Sequence, residues 1–508
     1  MPMRNSFRFF SPPSDMQSVF RELGDKPASF WEARGDEIAL RLFEYAAGTT
    51  PAYQEFLKSK HINASEIRAI ADFKTLPLTD KASYLRAHEY IDLFPNRDVS
   101  EITTISATSG STGEPFYFPR GEEQDWQSEY VGEIFLRNQF EIQDKNNLVV
   151  VCFGMGIWIG GILTYKYFNR LAQKGYHVSV APVGTNIELC LKTIKHFGHL
   201  YDQVILVGYP PFVKDVIDEG PASRVDWEKY RMKILTAAEG YTEKFRSYIA
   251  QKAFLKNPLT DTVNIYGTVE LGTMAHETPM SNLIRRRLAA DEKLRRQILP
   301  NARELPTLVQ YHPDIVYFEE VDGEVAASGL GSSMPLIRYR FSDRGGVIPF
   351  DTMIAKLKER GVDIVAEAQA AGIADTIMRL PFVYVGERSD FALVVRGANI
   401  YAEEIIAALQ HESLEQFITG KFTMLKKENE QMNEYFEVNV ELKKGVAPDQ
   451  SIAQNILTVL VDSLRVGNSE FNDQYQSVPD IITPTVVLWP YQDPLYFKTG
   501  IKQKWAKK

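Results

Sequence analysis

The sequence predicts an α/β protein: a large N-terminal domain of parallel-rich sheets and helices, followed by a small α+β C-terminal domain. Three observations lead there. Between residues 145 and 240, β-branched apolar runs alternate with amphipathic stretches, the pattern of βαβ units in a parallel sheet. After about Gly386 the pattern changes to short strands interleaved with helices, a separate unit of its own. At 508 residues and 44% hydrophobic, the chain can bury more than one core. The expected domains are 1–386 and 387–508.

Residues 14–100 read as helical, because SDMQSVFRELGD and TPAYQEFLKSKHI space their apolar residues three and four apart. Pro77 breaks one element, and Thr79 or Asp80 opens the next. EITTI, before Ala107, reads as a strand. LVVVCF opens the alternating region, followed by a helix through YKYFNRLAQKG, the strand YHVSVAP, the helix NIELCLKTIKHFG and the strands QVILVGYP and MKILTAAEG. Ligands in such sheets settle beyond the carboxyl ends of the strands. Residues 281–304 read as a solvated amphipathic surface helix, and 352–377 as a second helical insertion. The C-terminal region holds FALVVRGANIY, the helix AEEIIAALQ, the strands FTMLK and YFEVNVEL, the helix QSIAQNILTVLVDSL and TPTVVLWP.

Composition removes several functions. A net charge of −9 argues against general affinity for nucleic acid or an anionic membrane. Cys152 and Cys190 are too few for a disulfide framework, so a reducing, cytoplasmic location is expected. The N-terminus has no apolar segment ending in a cleavage site, so no secretory signal is expected. Leu148–Leu163 is nearly long enough to span a membrane. Gly154, Gly156, Gly160 and Gly161 would each cost a helix about 1 kcal/mol, so the stretch reads as strand, glycine loop and helix.

The candidate chemistry lies in loops. ATSGSTGEPF (Ala107–Phe116) combines glycines that bend freely with hydroxyls and N–H groups able to surround an oxyanion. No Lys and Ser/Thr pair follows Gly113, so it is not a GxxxxGK[ST] loop. IYGTVELG (Ile265–Gly272) places an aromatic, a glycine and a carboxylate together after a strand. YRFSDRGG isolates Asp343 in a glycine-bounded loop, RSDFALVVRGANIY leads through Arg396–Gly397 to a helix, and KTGIKQK closes the chain with lysines. His276 and Glu277 read as part of a polar loop, the alternative being a contact with an acyl site or a metal. Trp158, Tyr209 and Phe212 are candidate floor residues of an acyl pocket, or plain core.

In their order and spacing, FKTLPLTDK, TSGSTG, VGTNIEL, AAEGYTEKFR, YGTVE, PLIRYRFSD, RSDFALVVRGANIY and the terminal lysines resemble the adenylate-forming superfamily of acyl-CoA synthetases, adenylation domains and luciferases. Within it, the chain is most similar to the phenylacetate–CoA ligase branch. The resemblance runs from about Thr50 to the C-terminus, interrupted at 281–304 and 352–377. It implies an N-terminal adenylation domain and a mobile C-terminal domain that rotates about Asp390. It also implies an enzyme that activates an aryl or arylacetic acid with ATP and transfers it to coenzyme A. Other acceptors (an amine, a hydroxyl or a carrier-protein thiol) and a non-catalytic nucleotide-binding role are the alternatives. The implied partners are small molecules, with a homodimer left open.

The resemblance also assigns residues. Ser109, Gly110, Ser111, Thr112 and Gly113 would hold the β- and γ-phosphates; Ala238, Glu239, Tyr266, Gly267 and Thr268 would line the nucleotide site, with Tyr266 against adenine. Asp343 would bind the ribose hydroxyls, Glu270 Mg²⁺, and Arg388 the nucleotide at the domain junction. Gly397 would line the pantetheine tunnel, and Lys502 would be the catalytic lysine. Three positions depart from the family pattern. Glu114 and Phe116 stand near where the glycine-rich loop usually has a lysine, leaving Arg120 as a candidate replacement; Val269 precedes Glu270 in place of a hydroxyl; and Ile501 precedes Lys502 in place of glycine, leaving Lys498 a rival.

Overall fold

The computed structural model describes residues 9, 10, 13, 15–108, 115–302, 304–388, 393–497 and 506–507, with Glu387, Arg388, Ala506 and Lys507 described by backbone alone. The chain divides into two compact units. The first comprises 1–106, 117–208 and 213–387; the second comprises 107–116, 209–212 and 388–508.

The strands β1 (Thr104–Thr108) and β2 (Phe116–Arg120) form a two-stranded sheet flanking the glycine-rich loop. The main sheet of the first unit begins with β3 (Asn147–Cys152), β4 (Val178–Pro182), β5 (Gln203–Gly208), β6 (Met232–Ala237) and β7 (Thr262–Thr268). It continues with β8 (Gly272–His276), β9 (Thr307–Tyr311), β10 (Val316–Val321), β11 (Glu324–Gly329), β12 (Leu336–Ile348) and β13 (Phe382–Arg388). Among the described residues it has eleven strands, in the order β10-β11-β12-β13-β9-β8-β7-β6-β5-β3-β4. Neighbours from β4 through β3, β5 and β6 to β7 are parallel, while β7–β8, β8–β9 and β9–β13 are antiparallel. Every residue of β3 and β5 is buried, as expected of parallel strands covered on both faces.

The 148–163 run resolves into β3, a glycine-containing loop and the helix Ile159–Gln173. Gly161 is required there: a Cβ would lie 2.3 Å from the Gly154 carbonyl oxygen. Among the described residues no helix is long and apolar enough to cross a membrane. Upstream, Asp80 caps the turn 81–85 by accepting the Ser83 N–H at 2.7 Å. Thr79 joins β12 through Thr79 N–H to Arg338 O at 3.1 Å and Arg340 N–H to Thr79 O at 2.9 Å.

The second helical insertion is helical as expected, with helices Phe350–Glu359 and Ile364–Ala370, whereas the first departs from the sequence reading. The first is two helices, Pro279–Ala290 and Glu292–Ile298, and most of its first helix is buried. Met280, Ile284 and Leu288 share one apolar cluster with Met353, Leu357 and Ile364 of the second insertion and with Phe382 of β13. The charges of the first helix do not make it a solvated surface element, because Arg285 turns inward to Glu243 with its side chain 3% exposed.

In the second unit, β16 (Ile418–Glu428) pairs antiparallel with β17 (Glu434–Leu442) and parallel with β19 (Ala506–Lys507), and β17 pairs parallel with β18 (Thr485–Trp489). Ile405, Ile456, Leu460 and Phe471 from three helices share a core with Phe422, Val438 and Val440 of the sheet. The RGANIY segment is a hairpin, β14 (Leu393–Val395) and β15 (Ala398–Ile400), rather than one strand leading into a helix.

Candidate active site

Several sequence-predicted residues of the first unit come together around the carboxyl ends of β6 and β7, and Asp343, expected in a loop, lies within strand β12. β6 runs into Ala238, whose φ of 74° is left-handed despite its side chain, and then into Glu239, which is 6% exposed. Asn264 on β7 fixes this loop by donating from Nδ2 to the Glu239 carbonyl at 3.0 Å. Its Oδ1 accepts from Thr236 Oγ1 at 3.0 Å and its backbone N–H donates to Glu277 at 2.8 Å. Asn264 escaped sequence reasoning; the signal was an amide inside the apolar run TVNIY.

Two residues further along β7, the Tyr266 hydroxyl donates to Asp343 Oδ2 on β12 at 2.7 Å. The Tyr266 ring stacks on Phe318, with centroids 6.2 Å apart and planes at 29°. A ring backed in this way presents a fixed plane, and the carboxylate at its hydroxyl end offers two acceptor oxygens. Gly267 closes the β7–β8 turn, where a Cβ would lie 2.5 Å from the Gly272 carbonyl oxygen. Thr268 Oγ1 accepts the Leu271 N–H at 3.2 Å, so this hydroxyl shapes the turn that carries Glu270.

Arg120 is turned into the fold. It is 3% exposed and donates to Ser106 Oγ, to the Phe118 carbonyl at 3.2 Å and to the Val269 carbonyl. Burial lowers its guanidinium to about 10, opposed by the Glu270 and Asp125 carboxylates. Arg120 therefore ties the hairpin around the glycine-rich loop to the segment bearing Glu270, and Val269 contributes its carbonyl to that tie.

His276 and Glu277 do not form a polar loop. His276 ends β8 fully buried, and Glu277, 1% exposed, accepts Arg246 Nη2 at 2.6 Å and Nη1 at 3.1 Å. Arg246 also pairs with Glu243, which holds Arg285. His276 stacks on His312 with centroids 5.7 Å apart. Burial lowers His276 to about 4 and His312 well below its ordinary value, the second imidazole adding to the effect at His312.

Both imidazoles are neutral in the fold and titrate near 6.5 when unfolded. The unfolded chain thus binds more protons below that pH, and the stability held by the pair, complete above 6.5, is lost as pH falls through the folded values. Denaturant midpoints are expected to fall on acidification from pH 6.5 toward 4, each histidine adding a slope approaching about 1.4 kcal/mol per pH unit. His276→Gln is expected to flatten that slope.

The remaining candidates lie elsewhere. Trp158 is half-buried before the helix Ile159–Gln173, and Phe212 is core at 3% exposure. Tyr209 and Gly397 fall in the second unit, and Arg388 ends β13. Ser109, Gly110, Ser111, Thr112, Gly113, Asp390, Lys498, Ile501 and Lys502 lie outside the described residues. Among the described residues, no group of three or more His, Cys, Asp or Glu side chains could hold a metal ion.

No protein-family model matches the chain. No curated protein matches it either. Among solved structures it is similar to 2-hydroxyisobutyryl-CoA ligase in complex with 2-HIB-AMP and CoA in the thioesterification state. That match has a TM-score of 0.66 at 15% identity and covers 99% of this chain and 94% of that one. It is also similar to an open conformation of that ligase with 2-HIB-AMP and CoA, at TM-score 0.55 and 15% identity, covering 99% and 97%. The chain therefore shares the fold of that solved structure along nearly its whole length.

Proposed function

We propose that the chain is an AMP-forming acid–CoA ligase of the adenylate-forming superfamily, in its phenylacetate–CoA ligase-like branch. The observation that carries this reading is the Tyr266–Asp343 pair, a backed aromatic plane near the carboxyl end of β7, the last of the parallel strands, hydrogen-bonded to a carboxylate on β12. The shared fold with a ligase solved with an acyl-AMP and CoA supports it.

Adenine lies against Tyr266 beside the loop of Ala238 and Glu239, and Asp343 accepts from both ribose hydroxyls. Gly267 keeps the turn tight and Thr268 braces it, while Ser109–Gly113 hold the β- and γ-phosphates. Half-buried Glu270 suits Mg²⁺, which binds through one or two carboxylates and completes its shell with water and substrate phosphates. Bound there, the ion would neutralise phosphate charge. An oxygen of the acid attacks the α-phosphorus, the bond to the bridging oxygen breaks and pyrophosphate leaves. Lys502 stabilises the charge that develops where those groups meet. Domain 387–508 then rotates about Asp390, with Arg388 at the junction, and presents Gly397 beside the incoming pantetheine. The CoA sulfur attacks the acyl carbon, and AMP departs.

The test combines purified protein, ATP and Mg²⁺ with phenylacetate, benzoate or 2-hydroxyisobutyrate. Pyrophosphate release is expected to require an acid and to accelerate with CoA, fastest for an aryl or arylacetic acid. Release indifferent to CoA would assign another acceptor, and ATP binding without acid-dependent exchange would reject a ligase.

A further inference from the structure

The chemistry above leaves unused a cluster of carboxylates and amides beneath the β14–β15 hairpin. The two strands have three residues each and pair Val395 with Ala398, so Arg396 and Gly397 alone turn the chain. Their φ values are 51° and 83°, the pair of positive angles that a type I′ turn demands. Arginine is disfavoured in that region, and so short a ribbon does not hold itself together in water. The tip is also confined: a Cβ on Gly397 would lie 2.4 Å from the ring of Tyr209, which belongs to the same unit.

Support comes from the helix Ser469–Ser477 and the residue before it. Glu470 Oε2 accepts the Asn399 backbone N–H at 2.9 Å and Asn399 Nδ2 at 3.1 Å. Asn468, 1% exposed, donates from Nδ2 to the Asn399 carbonyl at 2.7 Å and reaches both carboxylate oxygens of Glu404 at 3.1 Å. Glu404 in turn accepts the Tyr401 N–H at 2.9 Å. Burial raises the Glu404 carboxyl to about 7, against the pull of the Tyr401 N–H and the Asn468 amide. Both backbone polar groups of Asn399 are thus engaged by side chains about 70 positions away, as the separations of 71 and 69 show. A sheet neighbour would ordinarily occupy such groups.

We propose that Glu470 and Asn468 are positioning residues for thiol transfer, holding the 396–400 hairpin in the register that borders the CoA pantetheine. This rests on the ligase reading, in which that hairpin serves the second half-reaction only. Displacing a positioning element by about 1 Å can cost on the order of 10²-fold in rate.

The experiment uses the full chain with whichever of phenylacetate, benzoate and 2-hydroxyisobutyrate drives the fastest pyrophosphate exchange. Glu470→Ala is expected to leave that exchange within about twofold, which also shows the protein folded, while thioester formation falls about tenfold or more and KM for CoA rises. Glu470→Gln is expected to restore transfer, since its amide oxygen can accept both Asn399 N–H groups; Asn468→Ala should behave like Glu470→Ala. Equal loss of both half-reactions, loss of neither, or a glutamine variant as impaired as the alanine one would overturn the inference. Absence of acid-dependent exchange in the unmodified protein would instead remove the ligase reading and this inference with it.

Discussion

Asp343→Ala is expected to slow acid-dependent pyrophosphate exchange by about 10²-fold or more, chiefly as a loss in kcat/KM for ATP. Hydrogen bonds to a charged acceptor contribute about 1.5–3 kcal/mol each, and Asp343 would offer its two oxygens to two ribose hydroxyls. At 8% exposure and already bonded to Tyr266, it sits in a site where bulk water competes weakly. Tyr266→Phe separates the contributions: it removes the hydroxyl that orients Asp343 but keeps the ring, and should cost about tenfold or less. Steady-state exchange at varied ATP distinguishes them. Equal losses for the two variants would mean that the tyrosine hydroxyl, not the carboxylate, makes the dominant contact.

Lys502→Ala is expected to abolish most adenylation, by about 10²–10³-fold in kcat, the scale of removing one preorganised donor from a developing charge. Transfer to CoA from a chemically prepared acyl-adenylate is expected to survive the same substitution, because no phosphoryl charge develops in that step where the lysine would act. Lys498→Ala is expected to affect neither step by more than a few-fold. Reversal of the two lysine variants would make Lys498 the catalytic cation and give Ile501 no role in presenting it. A half-reaction split is the informative readout, since loss of folding would impair both steps together.

The parts of this arrangement that the sequence announces are those governed by local pattern. LVVVCF and QVILVG are apolar on both faces, and both became fully buried parallel strands. Four glycines in sixteen residues separated a strand and a helix from a membrane span. YGT and RYRFSD met across β7 and β12, which lie far apart in the order of the sheet.

What escaped depends on partners distant in the chain. Arg285 lies on a helix whose charge pattern looks solvated, yet it pairs with Glu243, 42 positions earlier. Glu277 gave no local sign of burial, because its partner Arg246 stands 31 positions before it. Arg120 resembled a free cation until the Val269 carbonyl, 149 positions on, absorbed it. Periodicity reports which face of an element is apolar, but not which buried charge will find a counterion. The β14–β15 hairpin is an intermediate case: a two-residue Arg-Gly turn between short apolar runs is a hairpin signal, masked by the arginine where asparagine usually stands.

Attack by a carboxylate oxygen of the acid on the α-phosphorus of ATP is the step on which the proposed function turns. It is tested most directly with an acid labelled with ¹⁸O in its carboxyl group and turned over with ATP and CoA, followed by mass analysis of the nucleotide and pyrophosphate. Attack at the α-phosphorus followed by thiol transfer leaves one label in AMP and none in pyrophosphate. AMP free of label, or label appearing in phosphate or pyrophosphate, would contradict the account.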